Sequence, residues 1–355
     1  MYDIITIGTA TRDIFLTSSI FKILHDPKHL KRIGFSTGEA QCFALGGKIE
    51  IDKPIFATGG GATNAAVAFS RQGFKTAALI KIGQDESAES ILKELKKEKV
   101  IPLAIREKNK ATAFSSILLA PGGERTILVY RGASEDLKIK EVHFNNLKSH
   151  WVYISPGKIP YPVIEKVFNY FSKNKTLIAF NPSKYFLDMG IKKLKPLLSK
   201  SKVVFLNREE ASYLTKINYK KGKEIFKKLD KLIDGITVMT EGGKGVLVSD
   251  GQRIYSAGIF SAKGGSASGG EGKVIDRTGA GDAFASGFVS GLLRRKEKCD
   301  KGLCRMDNIK YAIQLGSANA TSVIEQIGAK GGILTKKEFE KEKRWKYLPI
   351  CISKA

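Results

Sequence analysis

The chain has 355 residues, 42% of them apolar, and a formal net charge of +25. Such a length can bury a substantial core in one large α/β domain or two average ones, and no run approaches the roughly 20 apolar residues of a membrane span, so no membrane partner is expected. The charge admits a nucleic-acid-binding surface, but lysines in Lys93–Lys99 and Lys220–Lys228 alternate with acids and apolar residues, so the reading favoured is a solvated surface that steers anionic ligands.

Met-Tyr-Asp-Ile-Ile-Thr-Ile-Gly8 lacks the basic and apolar regions of a signal peptide and reads as a first strand over Ile4–Gly8, so a cytoplasmic protein is expected. Further strand-like runs fall at Thr76–Ile82, Trp151–Ser155, Leu177–Asn181, Val203–Asn207, Ile236–Thr240 and Gly245–Ser249. Helical spacing marks Ala62–Gln72, Glu86–Lys99, Tyr161–Lys173, Arg208–Thr215 and Lys221–Ile233 between them. That alternation predicts an α/β fold whose mostly parallel central sheet is covered on both faces. Segments that break the rhythm, at about residues 12–18, 39–57 and 111–132, predict a small β lid within a single domain over residues 1–355. Pro121-Gly-Gly-Glu124 is a hairpin-type connection, and Gly264–Gly272 is a low-complexity loop. Cys42, Cys299, Cys304 and Cys351 have no metal-ligand spacing and are expected as free thiols.

Two glycine-rich turns open helices. Thr58-Gly-Gly-Gly-Ala-Thr-Asn64 lacks the Lys-Ser/Thr of a P-loop. Asp276-Arg-Thr-Gly-Ala-Gly-Asp282 follows a strand ending at Lys273–Asp276, and its helix is expected to open at Asp282. Backbone N–H groups of Gly279, Ala280 and Gly281 can close around an anion, helped by the positive end of the helix dipole. An Asp in such a place makes sense if it takes a proton from a hydroxyl that attacks a phosphoryl group held there. The structural alternative is an N-cap Asp after a tight turn. Asn207-Arg-Glu-Glu210 equally suits a helix start, and Thr240-Glu-Gly-Gly-Lys-Gly245 a turn between strands.

Asp13, the Gly59–Asn64 turn, Asn207–Glu210, Thr240–Gly245 and Asp276–Asp282, in that order, resemble the ribokinase-like (PfkB) family of sugar and nucleoside kinases. The resemblance implies a ribokinase-like three-layer sandwich. It implies Asp282 as catalytic base, with Gly279, Ala280 and Gly281 as the anion hole. Asp13, Gly59, Gly60 and Asn64 would bind the acceptor; Asn207, Thr240, Gly242 and Gly245 would lie along the nucleotide. Asn207 and Glu210 would organise Mg²⁺ through water, and Asp276 and Thr278 match positions beside a K⁺ site. Beside a helix N-terminus Asp282 should be a weak base, which a loose phosphoryl-transfer transition state tolerates.

The activity implied is an ATP- and Mg²⁺-dependent transfer to a hydroxyl of a small-molecule sugar or sugar-like alcohol. A nucleoside kinase is the alternative, with Phe43 or Phe114 stacking on the base; a non-catalytic basic nucleic-acid-binding relative is a second. An unphosphorylated acceptor is favoured, although Arg12 or Arg131 could clamp a phosphate. A homodimer is left open. Departures from the family pattern are the long segment between Ile20 and Lys48 and the glycine-rich stretch before Lys273.

Overall fold

The computed structural model describes residues 1–35, 37–120, 125–261, 274–294 and 302–355, with backbone alone for 302–305. Pro121–Glu124, Gly264–Gly272, Lys273 and Cys299 therefore lie outside the described residues. Along the chain the strands are β1 (Tyr2–Gly8), β2 (Thr11–Thr17), β3 (Ile23–His25), β4 (Glu39–Gln41), β5 (Ile55–Gly59), β6 (Thr76–Ile82), β7 (Ile101–Arg106) and β8 (Ala113–Leu119). They continue as β9 (Arg125–Tyr130), β10 (Ser149–Ser155), β11 (Leu177–Phe180), β12 (Val203–Asn207), β13 (Ile236–Thr240), β14 (Val246–Ser249), β15 (Arg253–Ala257) and β16 (Ile350–Lys354).

The central sheet has ten strands in the order β16-β15-β14-β13-β12-β11-β10-β1-β6-β7. Pairing is parallel from β7 across to β13 and antiparallel from β13 to β16. Successive residues of its strands face opposite ways, and both faces are apolar. Ile5, Val152 and Ile154 pack under the Tyr161–Lys173, Gly190–Leu198 and Gly222–Leu229 helices. Their neighbours Ile4, Trp151 and Tyr153 pack under the Gly61–Arg71, Ala280–Arg294 and Gly302–Ile324 helices. Helix, sheet and helix thus form the three layers, and within the sheet β1 and β10 are a switch point. The chain runs outward from β1 through β6 and β7 on one side, and from β10 through β13 on the other. Open α/β sheets leave a crevice at the carboxyl ends of such strands, and here Gly8 and Ser155 are paired at its floor.

A second sheet, ordered β5-β2-β8-β9, forms the small lid. It is mixed: β2 pairs with β5 antiparallel and with β8 in parallel. The middle segment expected in it does not belong there over most of its length. β4 pairs instead with β3 in a separate two-stranded sheet, and strand pairing with the lid starts at Ile55. The extra length after Ile20 folds as that pair and a short Pro27–Arg32 helix whose first turn is capped by Asp26. Nor is there a strand at residues 274–276: the N–H groups of Ile275 and Asp276 bond to Ile324 O, at the end of the 302–324 helix.

Candidate active site

Gly279, with φ of +78°, turns the chain into the 280–294 helix. A Cβ there would lie 2.3 Å from the Ala329 methyl, so the turn has no room for a side chain. The helix begins at Ala280 and not at Asp282, because Ala283 N already reaches Gly279 O at 2.8 Å. Asp282 is therefore inside the first turn, beside N–H groups that have no preceding turn to bond. Asp276 braces the turn. Its Oδ1 accepts from Thr278 N (2.9 Å) and Thr278 Oγ1 (2.6 Å), and its Oδ2 accepts from Gly328 N (2.9 Å).

The other glycine turn meets this one. Gly60, with φ of +98°, precedes the 61–71 helix, and a Cβ on it would strike Thr9 O at 2.5 Å. One turn into that helix, Asn64 Nδ2 donates to Asp282 Oδ2 at 2.9 Å. A Cβ on Gly61 would be 2.2 Å from Ser155 Oγ and 3.5 Å from Asp282 Oδ1, which puts Asp282 directly over the switch point. Asn64 is buried, and its Oδ1 has no hydrogen-bond partner among the described residues. A buried, unpartnered acceptor is costly unless something else supplies the donor.

Asp13 is buried at the root of the lid, where Thr11 Oγ1 donates to its Oδ1 at 2.9 Å. Gly59 lies against it: a Cβ there would be 2.0 Å from Asp13 Oδ2. Burial pushes the Asp13 carboxyl up, against the Thr11 and Ser115 hydroxyls and the charges of Lys330 and Arg12. Burial also pushes Asp282 up, opposed by the Asn64 amide and by Lys330. The direction is opposite to the weak base expected beside a helix N-terminus, because burial disfavours the ionised carboxylate.

Asn207 and Thr240 are register partners at the carboxyl ends of β12 and β13. Asn207 Oδ1 accepts from Glu210 N (2.7 Å) while Glu210 Oε2 accepts from Asn207 N (2.8 Å), a reciprocal cap on the 208–215 helix. Burial raises the Glu210 carboxyl. With one oxygen of each residue committed, this donor set fits a hydrated Mg²⁺ held through water better than direct ligation. Among the described residues no group of three or more His, Cys, Asp or Glu could hold a metal. Arg208 pairs with Glu241 and so ties this helix start to the Thr240–Gly245 turn. A cavity of about 430 Å³ lies between that turn and the start of the 280–294 helix. Thr240, Gly242 and Gly245 line one side and Ala280, Gly281 and Phe284 the other, while Asn207 and Glu210 are not part of its wall.

Several candidates are engaged elsewhere. The Arg12 guanidinium lies 5.3 Å from the Phe56 ring and donates to Ala57 O at 3.2 Å, and Arg131 pairs with Glu135 at 3.3 Å. Phe43 is half exposed and packs edge-on against Phe21. Cys42 and Cys351 are free and exposed. Lys330, which sequence reasoning did not single out, is buried in Gly328-Ala-Lys-Gly-Gly332, with its ammonium on Thr58 and Glu94. Its signal was a lysine within a run of small residues, where a solvated lysine has no reason to be. Arg277, Ser317 and Thr321 of the cavity wall were likewise not anticipated.

The profile of the family described as pfkB family carbohydrate kinase matches residues 36–336. An uncharacterised sugar kinase of Archaeoglobus fulgidus is 23% identical over 271 residues, covering 74% of this chain and 97% of its own. A cytidine kinase of Thermococcus kodakarensis is 26% identical over 303 residues, covering 79% and 95%. The structure of Arabidopsis thaliana ribokinase complexed with ribose and ATP superposes with a TM-score of 0.72 at 18% identity, covering 98% of this chain and 99% of that one. Among the described residues no helix is long and apolar enough to cross a membrane.

Proposed function

Since the chain belongs to the pfkB family of carbohydrate kinases, we propose that it transfers the γ-phosphoryl group of ATP to a hydroxyl of an unphosphorylated sugar or sugar-like alcohol. The observation that carries this reading is the Asn64–Asp282 contact: it joins a base to a buried acceptor atom, Asn64 Oδ1, that still needs a donor. An acceptor hydroxyl supplies that donor. Asp13 accepts from neighbouring hydroxyls, since a carboxylate can take paired O–H groups at once, and the Gly59–Gly60 backbone lets the ligand approach without steric conflict.

The acceptor oxygen bonds to the γ-phosphorus as the bond to the β–γ bridging oxygen breaks, ADP leaves, and the proton ends on Asp282. Gly279, Ala280 and Gly281 hold the phosphoryl oxygens with backbone N–H groups at the start of the helix. The cavity walled by Thr240, Gly242 and Gly245 takes the rest of the nucleotide. Mg²⁺ bound with ATP supplies charge neutralisation of the phosphates, and Glu210 and Asn207 would hold it through water. K⁺ is proposed beside Asp276 and Thr278.

An unphosphorylated acceptor is favoured because Arg12 and Arg131 are already engaged. A nucleoside is the second reading, motivated by the Thermococcus relative; its ribose would meet the same groups. Coupled assay of ATP consumption over a panel of sugars, sugar phosphates and nucleosides tests all of these. Turnover confined to phosphosugars, or to nucleosides, replaces the first reading; no turnover, together with salt-dependent retardation of a random duplex, replaces the class.

A further inference from the structure

Lys330 lies on the turn that follows the 302–324 helix and is 6% exposed. Its ammonium donates to Thr58 O at 3.1 Å, to Thr58 Oγ1, and to Glu94 Oε2 at 3.0 Å. Three donors meet three acceptors, so nothing is left over for a ligand. Thr58 Oγ1 in turn donates to Glu94 Oε2. One cation thus fastens the last residues of lid strand β5 to the Glu86–Lys97 helix and to the 328–332 turn. That turn is itself held: Arg71 Nη1 donates to Lys330 O (2.9 Å) and Ile333 O (2.8 Å), while Arg71 also pairs with Glu98 at 2.8 Å.

The residue gripped by Lys330 immediately precedes Gly59 and Gly60, and β2 pairs Asp13 with Ala57 on the same strand. Asp13 is buried and Asp282 partly exposed, and Lys330 favours both in their charged forms. Around Asp13 stand the Thr11 and Ser115 hydroxyls and the Arg12 guanidinium; around Asp282, the Asn64 amide and the buried Tyr153 phenol. Lys330 faces Glu94, Glu98 and Asp13, and its burial works against its own charge. An ion pair kept for stability alone is replaceable by neutral groups of similar volume. A cation placed for two carboxylates is not.

We propose that Lys330 is a positioning residue of the acceptor site: it fixes Thr58, and with it the Gly59–Gly60 turn against Asp13, and supplies positive charge that favours the ionised forms of Asp13 and Asp282. Its kinetic consequence, though not its electrostatic one, rests on the kinase reading above.

The test compares wild type with Lys330→Met and with Lys330→Met/Glu94→Gln, which removes both charges of the pair. The single variant leaves Glu94 half-buried without its cation, so a fall in Tm is expected there and recovery in the double. In ligand-free protein carrying ¹³C-labelled aspartate, with Asp13 and Asp282 assigned through Asp13→Asn and Asp282→Asn, both carboxyls should titrate at higher pH in the double variant than in wild type. On the best acceptor of the panel, the double variant should show an acceptor KM raised about 10-fold or more with the ATP KM unchanged. Unmoved titrations of both carboxyls, or a double variant with wild-type acceptor KM, overturn the proposal. If wild type turns over nothing on the panel, the kinase reading falls while the titrations still decide the role of Lys330.

Discussion

Asn64 Nδ2 and Asp282 Oδ2 are 2.9 Å apart across 218 positions of sequence, and through them the two glycine turns share one hydrogen bond. The bond orients the Asp282 carboxylate and leaves Oδ1 of Asn64 as the buried atom in want of a donor. Neither turn could do this alone: each supplies half of the pair.

Replacing Asp282 by Asn keeps an oxygen for Asn64 and removes the base. Turnover on the best acceptor should fall by about 10² to 10⁴, the range for a positioned general base, while ATP binding measured by calorimetry persists. Comparable kcat in variant and wild type would remove Asp282 from the proton transfer.

The same substitution has a stability signature with a definite sign. Burial raises the Asp282 carboxyl in the folded state, so ionising it opposes folding, and the stability it allows is full below the unfolded value and lost as pH rises through the folded one. Asp282→Asn should therefore have a higher Tm than wild type near neutral pH, with the difference shrinking toward acid. A difference that grows on acidification contradicts the assignment.

Glu210 has two employments, a cap and a proposed grip on hydrated Mg²⁺. Glu210→Ala should lower stability by about 0.5–2 kcal/mol through the lost cap and raise the Mg²⁺ concentration for half-maximal rate. Glu210→Gln keeps a capping oxygen, so its Tm should recover while the Mg²⁺ requirement stays raised. A Mg²⁺ titration unmoved in both leaves the residue as a cap.

Asp276, Thr278 and the 324–328 turn are held together by the bonds to Ile324 O and from Gly328 N. If K⁺ binds there, the rate should rise several-fold when K⁺ replaces a large organic cation at fixed ionic strength. Equal rates in the two salts count against the site.

The two long helices behind the Gly279 turn touch through small residues: a Cβ on Gly291 would lie 2.5 Å from Ala312 Cα. Gly291→Val should destabilise by about 1–3 kcal/mol through overpacking, read from denaturant unfolding. A neutral result would show the pair free to separate.

Strands buried on both faces, such as β6 and β12, were legible because they are unbroken apolar runs, and the Tyr161–Lys173 and Arg208–Thr215 helices because their period is clear. The 302–324 helix was not legible: Ala312, Gly316 and Ala318 make its buried face small, so it carries little hydrophobic periodicity. β7 contains Pro102, which an edge strand tolerates and a sequence reading discounts. At the site, the motif positions were visible because each glycine and acid is constrained locally. Lys330 was hidden because its partners Thr58 and Glu94 are more than 230 residues away and no local pattern links them. The upward shift of Asp282 was hidden for a related reason: desolvation is a property of what surrounds a residue, not of its neighbours in sequence.

The lid sheet leaves the body of the protein through a very short joint, Thr9 and Ala10, and both backbone groups of Ala10 are held by the Ser134 hydroxyl at 3.2 and 2.8 Å. It returns from β5 through Gly60, and β8 and β9 form a second excursion that starts after β7 and ends at Arg131. No residue of the lid sheet lines the 430 Å³ cavity, yet the sheet carries Asp13 and Gly59. The chain is thereby modular: under the proposed reading, exchange of β2, β5, β8 and β9 would alter the acceptor side of the site while the cavity wall and the Gly279–Gly281 turn stay as they are.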